Sequence, residues 1–159
     1  MSPVGGAGLA DENRCDDTVR RRVQRAIPPI YNCIRRECST EYLWIVEDDV
    51  IPPLDLCERL LRSFDFDTAS VAAPYWSRFH PGYVVRDTAS LTVDQPGDGV
   101  ERVGFNGFGC TILRRSVLER VEFREDADCD VEFYRRLPGG LAAKVDWSHE
   151  AAHLASRSG

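Results

Sequence analysis

The chain has 159 residues and carries 20 Lys and Arg against 26 Asp and Glu, a net charge of −6 with histidine neutral. Its 43% hydrophobic and 29% charged residues supply a core and exclude wholesale disorder, and the length suits one domain rather than two. Net acidity argues against a nucleic-acid binder that tracks phosphates, and leaves a metal ion as the usual means by which such a protein handles phosphate.

No apolar run approaches the roughly 20 residues of a membrane span. Residues 1–10 lack the basic and apolar stretches of a secretory signal. Cys15, Cys33, Cys38, Cys57, Cys110 and Cys129 form no CxxC pair, a pattern that reads as buried, reduced thiols in a cytoplasmic protein.

Residues 2–10 are rich in Gly and small side chains and read as a flexible lead-in to a single domain over 11–159. From Asp17 the apolar positions Val19, Val23, Ala26, Ile27, Ile30, Tyr31 and Ile34 step by three and four, which is helical spacing. Pro28 and Pro29 interrupt that stripe, so two helices or a kink are expected. Arg20, Arg21, Arg22 and Arg25 read as a solvated helix face. Glu41 to Val50 joins five consecutive apolar residues to three acids, the pattern of a buried, central parallel strand.

Pro52 and Pro53 then open a helix with Leu54, Cys57, Leu60, Leu61 and Phe64 on one face. Strands are predicted at Ser70 to Trp76 and Tyr83 to Arg86, and a glycine-punctuated segment from Val103 to Leu113 ends in another. Ser116 and Glu119 fit a capping box for a helix over 117–121. Asp126 and Asp128 are placed to cap a last helix through Phe133 and Leu137, stopped by Pro138-Gly139-Gly140. Lys144 to Trp147 reads as the final strand. Helices alternating with strands predict an α/β fold, a mainly parallel sheet flanked by helices.

Four constellations carry chemistry. Glu47-Asp48-Asp49 sets three mutually repelling carboxylates at the carboxyl end of a strand, where a hard cation shared with substrate phosphates is favoured; a solvated turn is the alternative. Gly104 to Cys110 holds three glycines with two aromatic residues between them, a bulge that either passes under a sugar or base or simply packs. Glu125 to Glu132 gathers five carboxylates at a helix start, more than capping needs, which points to a general base or an acceptor-binding group. His149-Glu150-Ala151-Ala152-His153 matches the HExxH pattern of zinc proteases, but Leu154 to Gly159 offer no third ligand, so a zinc hydrolase ranks last. Trp76, Arg78, Phe79 and His80 follow a strand in a turn-like stretch and read either as an acceptor wall or as core.

In order, YLWIVEDDVIPP (Tyr42 to Pro53), GFGCTILRRSVLERVEF (Gly107 to Phe123), CDVEFYRRL (Cys129 to Leu137) and VDWSHEAAH (Val145 to His153) resemble the GT-A type nucleotide-sugar glycosyltransferases, closest to the family 2 group. The resemblance implies a Rossmann-like GT-A fold and transfer of a sugar from a nucleoside-diphosphate donor to a hydroxyl acceptor, with Mn²⁺ or Mg²⁺ as cofactor.

The resemblance also implies roles. Asp49 and His153 are the metal ligands, Glu47 and Asp48 face the donor's ribose or support the metal, and Gly107 and Gly109 lie on the donor. Asp130 is the base, with Asp128 and Glu132 as alternates; the acceptor-binding candidates Trp76 and Arg78 come from their place after a strand and not from the resemblance. Family members begin with two strands and an intervening helix, whereas residues 11–38 read as helix and nothing before Glu41 reads as a strand. The expectation is a partial GT-A domain whose front half is truncated, lost or supplied by a protein partner. A non-catalytic or partner-dependent remnant is therefore the second reading, and no nucleic-acid partner and no membrane span are expected.

Overall fold

The computed structural model describes residues 16–77, 81–125 and 127–154. It opens with helix α1 (Asp17–Glu37), capped by Asp16, whose carboxylate accepts the Thr18 and Val19 amides at 2.8 and 3.2 Å. Of the two expected outcomes at Pro28-Pro29, a division into two helices is absent: one helix runs through both prolines. An interior proline costs about 3 kcal/mol, and here α1 recovers it through tertiary contacts. Val23 and Pro28 are buried, and Ile27 and Tyr31 pack on the core. The Asn32 amide donates to the Phe123 carbonyl at 2.8 Å and accepts the Phe123 amide at 3.0 Å, while Arg35 donates to the Val121 carbonyl at 2.9 Å.

Strand β1 (Tyr42–Val46) leads through the acidic turn to the short β2 (Val50–Ile51) and helix α2 (Leu56–Arg62). Then come β3 (Thr68–Ala72), β4 (Val85–Arg86), β5 (Val100–Val103), β6 (Phe105–Asn106), β7 (Cys110–Arg114), α3 (Arg115–Leu118), α4 (Cys129–Arg135), β8 (Ala142–Asp146) and β9 (Ala152–His153).

The main sheet has the order β1-β7-β3-β8-β5, with β2-β9 and β4-β6 as separate two-stranded ribbons. The fold is mixed α/β, but the expected mainly parallel sheet is corrected: among the described strands only β3 and β8 run parallel, and β1-β7, β7-β3 and β8-β5 are antiparallel. Strand β1 is an edge strand, with Trp44 37% and Val46 39% exposed, rather than the buried centre. The strands buried along their whole length are β3 (TASVA) and β8 (AAKVD). Their small and polar residues conceal that position, because close helix packing on both faces needs small volume rather than high hydropathy.

Alternate side chains divide between two cores. Leu113, Ala72 and Val145 join Phe133, Val117 and Phe108 beneath α3 and α4, while Ile112 and Val71 join Leu56 and Leu60 of α2. Leu56, not Leu54, anchors α2; Leu54 is fully exposed. The predicted capping box is also absent, since α3 starts at Arg115 and Glu119 instead pairs with Arg115 at 2.8 Å. Among the described residues no helix is long and apolar enough to cross a membrane.

The reciprocal Asn32 bonds give a test of how α1 is held. Asn32→Ala strips the partners from the amide and carbonyl of Phe123, a buried residue. It should lower unfolding stability by about 1–3 kcal/mol in denaturant titrations.

Candidate functional site

The acidic turn after β1 is drawn to the end of the chain by the β2-β9 ribbon. Val50 pairs with His153, Ile51 pairs with Ala152, and the Leu154 amide donates to the Asp49 carbonyl at 2.9 Å. This register sets His153 Nε2 3.2 Å from Asp49 Oδ2, a contact between residues 104 positions apart. On its other side His153 Nδ1 lies 2.9 Å from the Trp76 carbonyl oxygen. A carbonyl only accepts, so Nδ1 carries the hydrogen. Nε2 then meets a carboxylate oxygen, and that contact is attractive only with a cation between them, either a second proton on the ring or a metal ion.

The pair opens on a cleft of about 440 Å³ that Glu47 and Asp130 also line. The half-buried Asp130 carboxyl is pushed up to about 7, first by desolvation and then by the negative charges of Asp128 and Glu47, against the Val131 amide that donates to it at 2.8 Å. An acid ionising near neutrality is placed to take a proton from a hydroxyl. Its helix, α4, is tied to the sheet from beneath. Tyr134 donates to Asn106 Oδ1, and Asn106 donates to the Lys144 carbonyl at 3.2 Å.

Other expected site residues fall elsewhere. Asp128 lines the cleft, but its carboxylate is held by Arg20 at 2.8 Å and Gln24 at 3.1 Å, which makes it an anchor for α1 rather than an alternate base, and it makes no side-chain cap on α4. Glu132 pairs with Arg136 at 2.8 Å and lies outside the cleft lining. Asp48 is exposed and also lies outside it.

Gly107 and Gly109 make room for Tyr75 rather than for a ligand. A Cβ on Gly109 would sit 2.6 Å from the Tyr75 ring, one on Gly107 would strike its hydroxyl, and the Gly109 amide donates to that hydroxyl at 3.1 Å. Trp76 packs edge-on against Tyr83 at 5.1 Å and serves the site through its carbonyl. Arg78, Phe79 and His80, like Asp126, lie outside the described residues.

The HEAAH stretch forms no helix. His149 turns away to Asp146, 3.5 Å off, and to Arg59, so the two histidines do not share a helical face. Among the described residues, no group of three His, Cys, Asp or Glu side chains comes close enough to hold a metal ion alone. Asp49 and His153 supply one oxygen and one nitrogen donor. That set suits a divalent cation only if water and substrate oxygens complete its shell.

The sequence pattern alone did not identify α1 as a wall of the cleft. Arg20, Val23, Gln24, Ile27, Pro28 and Tyr31 line it at helical spacing. The apolar stripe was legible, but what it faces was not. Tyr75 and Ser77 also line the cleft, without a motif to mark them.

With this geometry in view, no family model matches the chain and no curated protein does. Among solved structures it is similar to A197 from STIV, a viral protein, with a TM-score of 0.54 and 19% identity over 86% of this chain. The match spans 65% of the length of A197, and at this identity the likeness is one of fold.

Asp130 yields a stability test. An unfolded aspartate ionises at about 3.9, and the folded one at about 7. The stability tied to Asp130 is therefore present in full below about pH 4 and is lost as pH rises to about 7. Asp130→Asn should melt above the parent chain at pH 8, with the gain shrinking towards pH 5; an equal gain at both values contradicts the burial argument.

Proposed function

We propose that the chain transfers a sugar from a nucleoside-diphosphate donor to a hydroxyl acceptor with the help of a divalent cation, as a partial GT-A type domain of the glycosyltransferase family 2 kind. The observation that carries this reading is that Asp49, His153 and Asp130, spread over 105 positions of sequence, open on one cleft. A carboxylate and an imidazole beside a second carboxylate can hold a divalent cation next to a base, and a mere solvated turn would not pair Asp49 with a largely buried histidine.

Asp49 Oδ2 and His153 Nε2 would hold the cation, which when bound neutralises charge on the leaving diphosphate. The Trp76 carbonyl fixes the ring so that Nε2 faces Asp49. Asp130 takes the acceptor's hydroxyl proton as the oxygen bonds to the anomeric carbon and the bond to the diphosphate oxygen breaks. Its elevated pKa lets it hold that proton near neutral pH and release it afterwards. Glu47, from the same cleft, keeps the Asp130 proton affinity high and faces the donor side.

A second reading, a partner-dependent subunit, is favoured by β1. Among the described residues it pairs with β7 alone, leaving one strand edge beside the acidic turn for a chain that would complete the donor side.

Mn²⁺ with a nucleoside diphosphate should raise the melting temperature of the chain, and Asp49→Ala should remove that rise; a shift that persists in the variant overturns the metal assignment. Asp130→Asn should cut nucleoside-diphosphate release from a nucleotide sugar by about 10²–10⁴-fold. The parent chain's rate should rise with pH through about 7, and the variant should lose that rise. If the parent chain turns over only after a second protein is added, the partner-dependent reading replaces autonomous activity.

A further inference from the structure

Away from its acids the cleft has a different character. One wall is α1, which contributes Val23, Ile27 and Tyr31 at intervals of four residues, and the β4-β6 ribbon and the loop before it add Val84 and Phe105. Ile27, Tyr31, Val84 and Phe105 are only partly buried, so apolar surface stays open to an entering molecule. Cys129 and Val131, on either side of Asp130, line the same cleft, and the apolar surface therefore reaches the base itself.

The long polar side chains of these walls already serve the protein. Arg20 and Gln24 hold Asp128, and Arg86 donates to the Ser90 carbonyl at 3.2 Å. A polyhydroxylated ligand would leave water for few partners here, and each buried hydroxyl without one weakens binding. An alkyl or aryl group has no such need and gains from leaving water.

We propose that the acceptor is an amphiphilic alcohol whose hydroxyl meets Asp130 and whose alkyl or aryl tail lies between α1 and the β4-β6 ribbon; this rests on the transfer reading above. In the step, the O–H proton passes to Asp130 while the acceptor oxygen bonds to the anomeric carbon. The bond from that carbon to the diphosphate oxygen breaks, and its electron pair leaves with the nucleoside diphosphate. The products are an alkyl or aryl glycoside, the nucleoside diphosphate and one proton, later released from Asp130.

The test is calorimetric titration of the full chain, without donor, with 1-hexanol, 1-octanol and 1-decanol, and with glucose as the polyhydroxylated comparison. Kd should fall by about fourfold per added methylene, and glucose should bind more weakly than octanol. Ile27→Gln should raise the Kd for decanol at least tenfold. Ile27→Trp, which keeps the apolar face of α1 but narrows the slot, should weaken decanol more than hexanol. The proposal is overturned if Kd is independent of chain length, if glucose binds more tightly than octanol, or if both variants bind decanol like the parent chain.

A supply of nucleotide sugar separates the two layers. Alcohol binding with no nucleoside-diphosphate release removes the transfer reading, and with it the acceptor role. Release without any alcohol binding removes the apolar acceptor and leaves the transfer reading intact.

Discussion

The site depends on the seating of one ring, that of Tyr75, in the hollow left by two glycines. Side chains at Gly107 or Gly109 would occupy the space of its ring or hydroxyl, so β7 enters the sheet only where these positions carry no Cβ. The Gly109 peptide is then used on both sides: its amide donates to the Tyr75 hydroxyl at 3.1 Å, and its carbonyl accepts the Glu47 amide at 2.9 Å. The same ring stands edge-on to His153 at 5.6 Å. One aromatic side chain thus couples the glycine segment, the start of the acidic turn and the histidine, and holds them while β7 passes between β1 and β3.

Around that fixed point the acids are treated unequally. Asp128 is met by the Arg20 guanidinium and the Gln24 amide, while Asp49 faces His153 Nε2 at 3.2 Å. Asp130, two residues from Asp128, is desolvated and repelled by its acidic neighbours, and its proton affinity climbs to neutrality. Two aspartates on one helix start therefore have different chemistry, because α1 reaches one and not the other. The helix that pins Asp128 also supplies the apolar wall of the cleft, so charge separation and the shape of the cavity share one cause.

Much of this was legible in the residues. The acidic turn, the carboxylates before the last helix and the terminal histidines stood out as clusters, and their convergence on one cleft was what the family resemblance implied. The helical stripe from Val23 to Tyr31 was also readable, because local spacing acts within a few residues, whereas Pro28 and Pro29 do not divide the helix that carries it. The roles of Glu132, Gly107, Gly109 and Trp76 were not, since each depends on a neighbour far along the chain: Tyr75 for the glycines, Tyr83 for Trp76. For Glu132 the decisive neighbour is close, but the direction of the side chain towards Arg136 is set by how α4 lies on the sheet.

The sequence by itself determined the longer helices and most of the longer strands, and the sites of concentrated charge, since periodicity and carboxylate clustering are properties of short segments. Strand direction and burial were decided only by the tertiary structure. YLWIV has the hydropathy of a central strand yet forms an edge, and TASVA has little of it yet is buried throughout. The physical reason is that a strand's place depends on which neighbours donate and accept its backbone hydrogen bonds and how closely helices approach its faces. Both are set by residues tens of positions away.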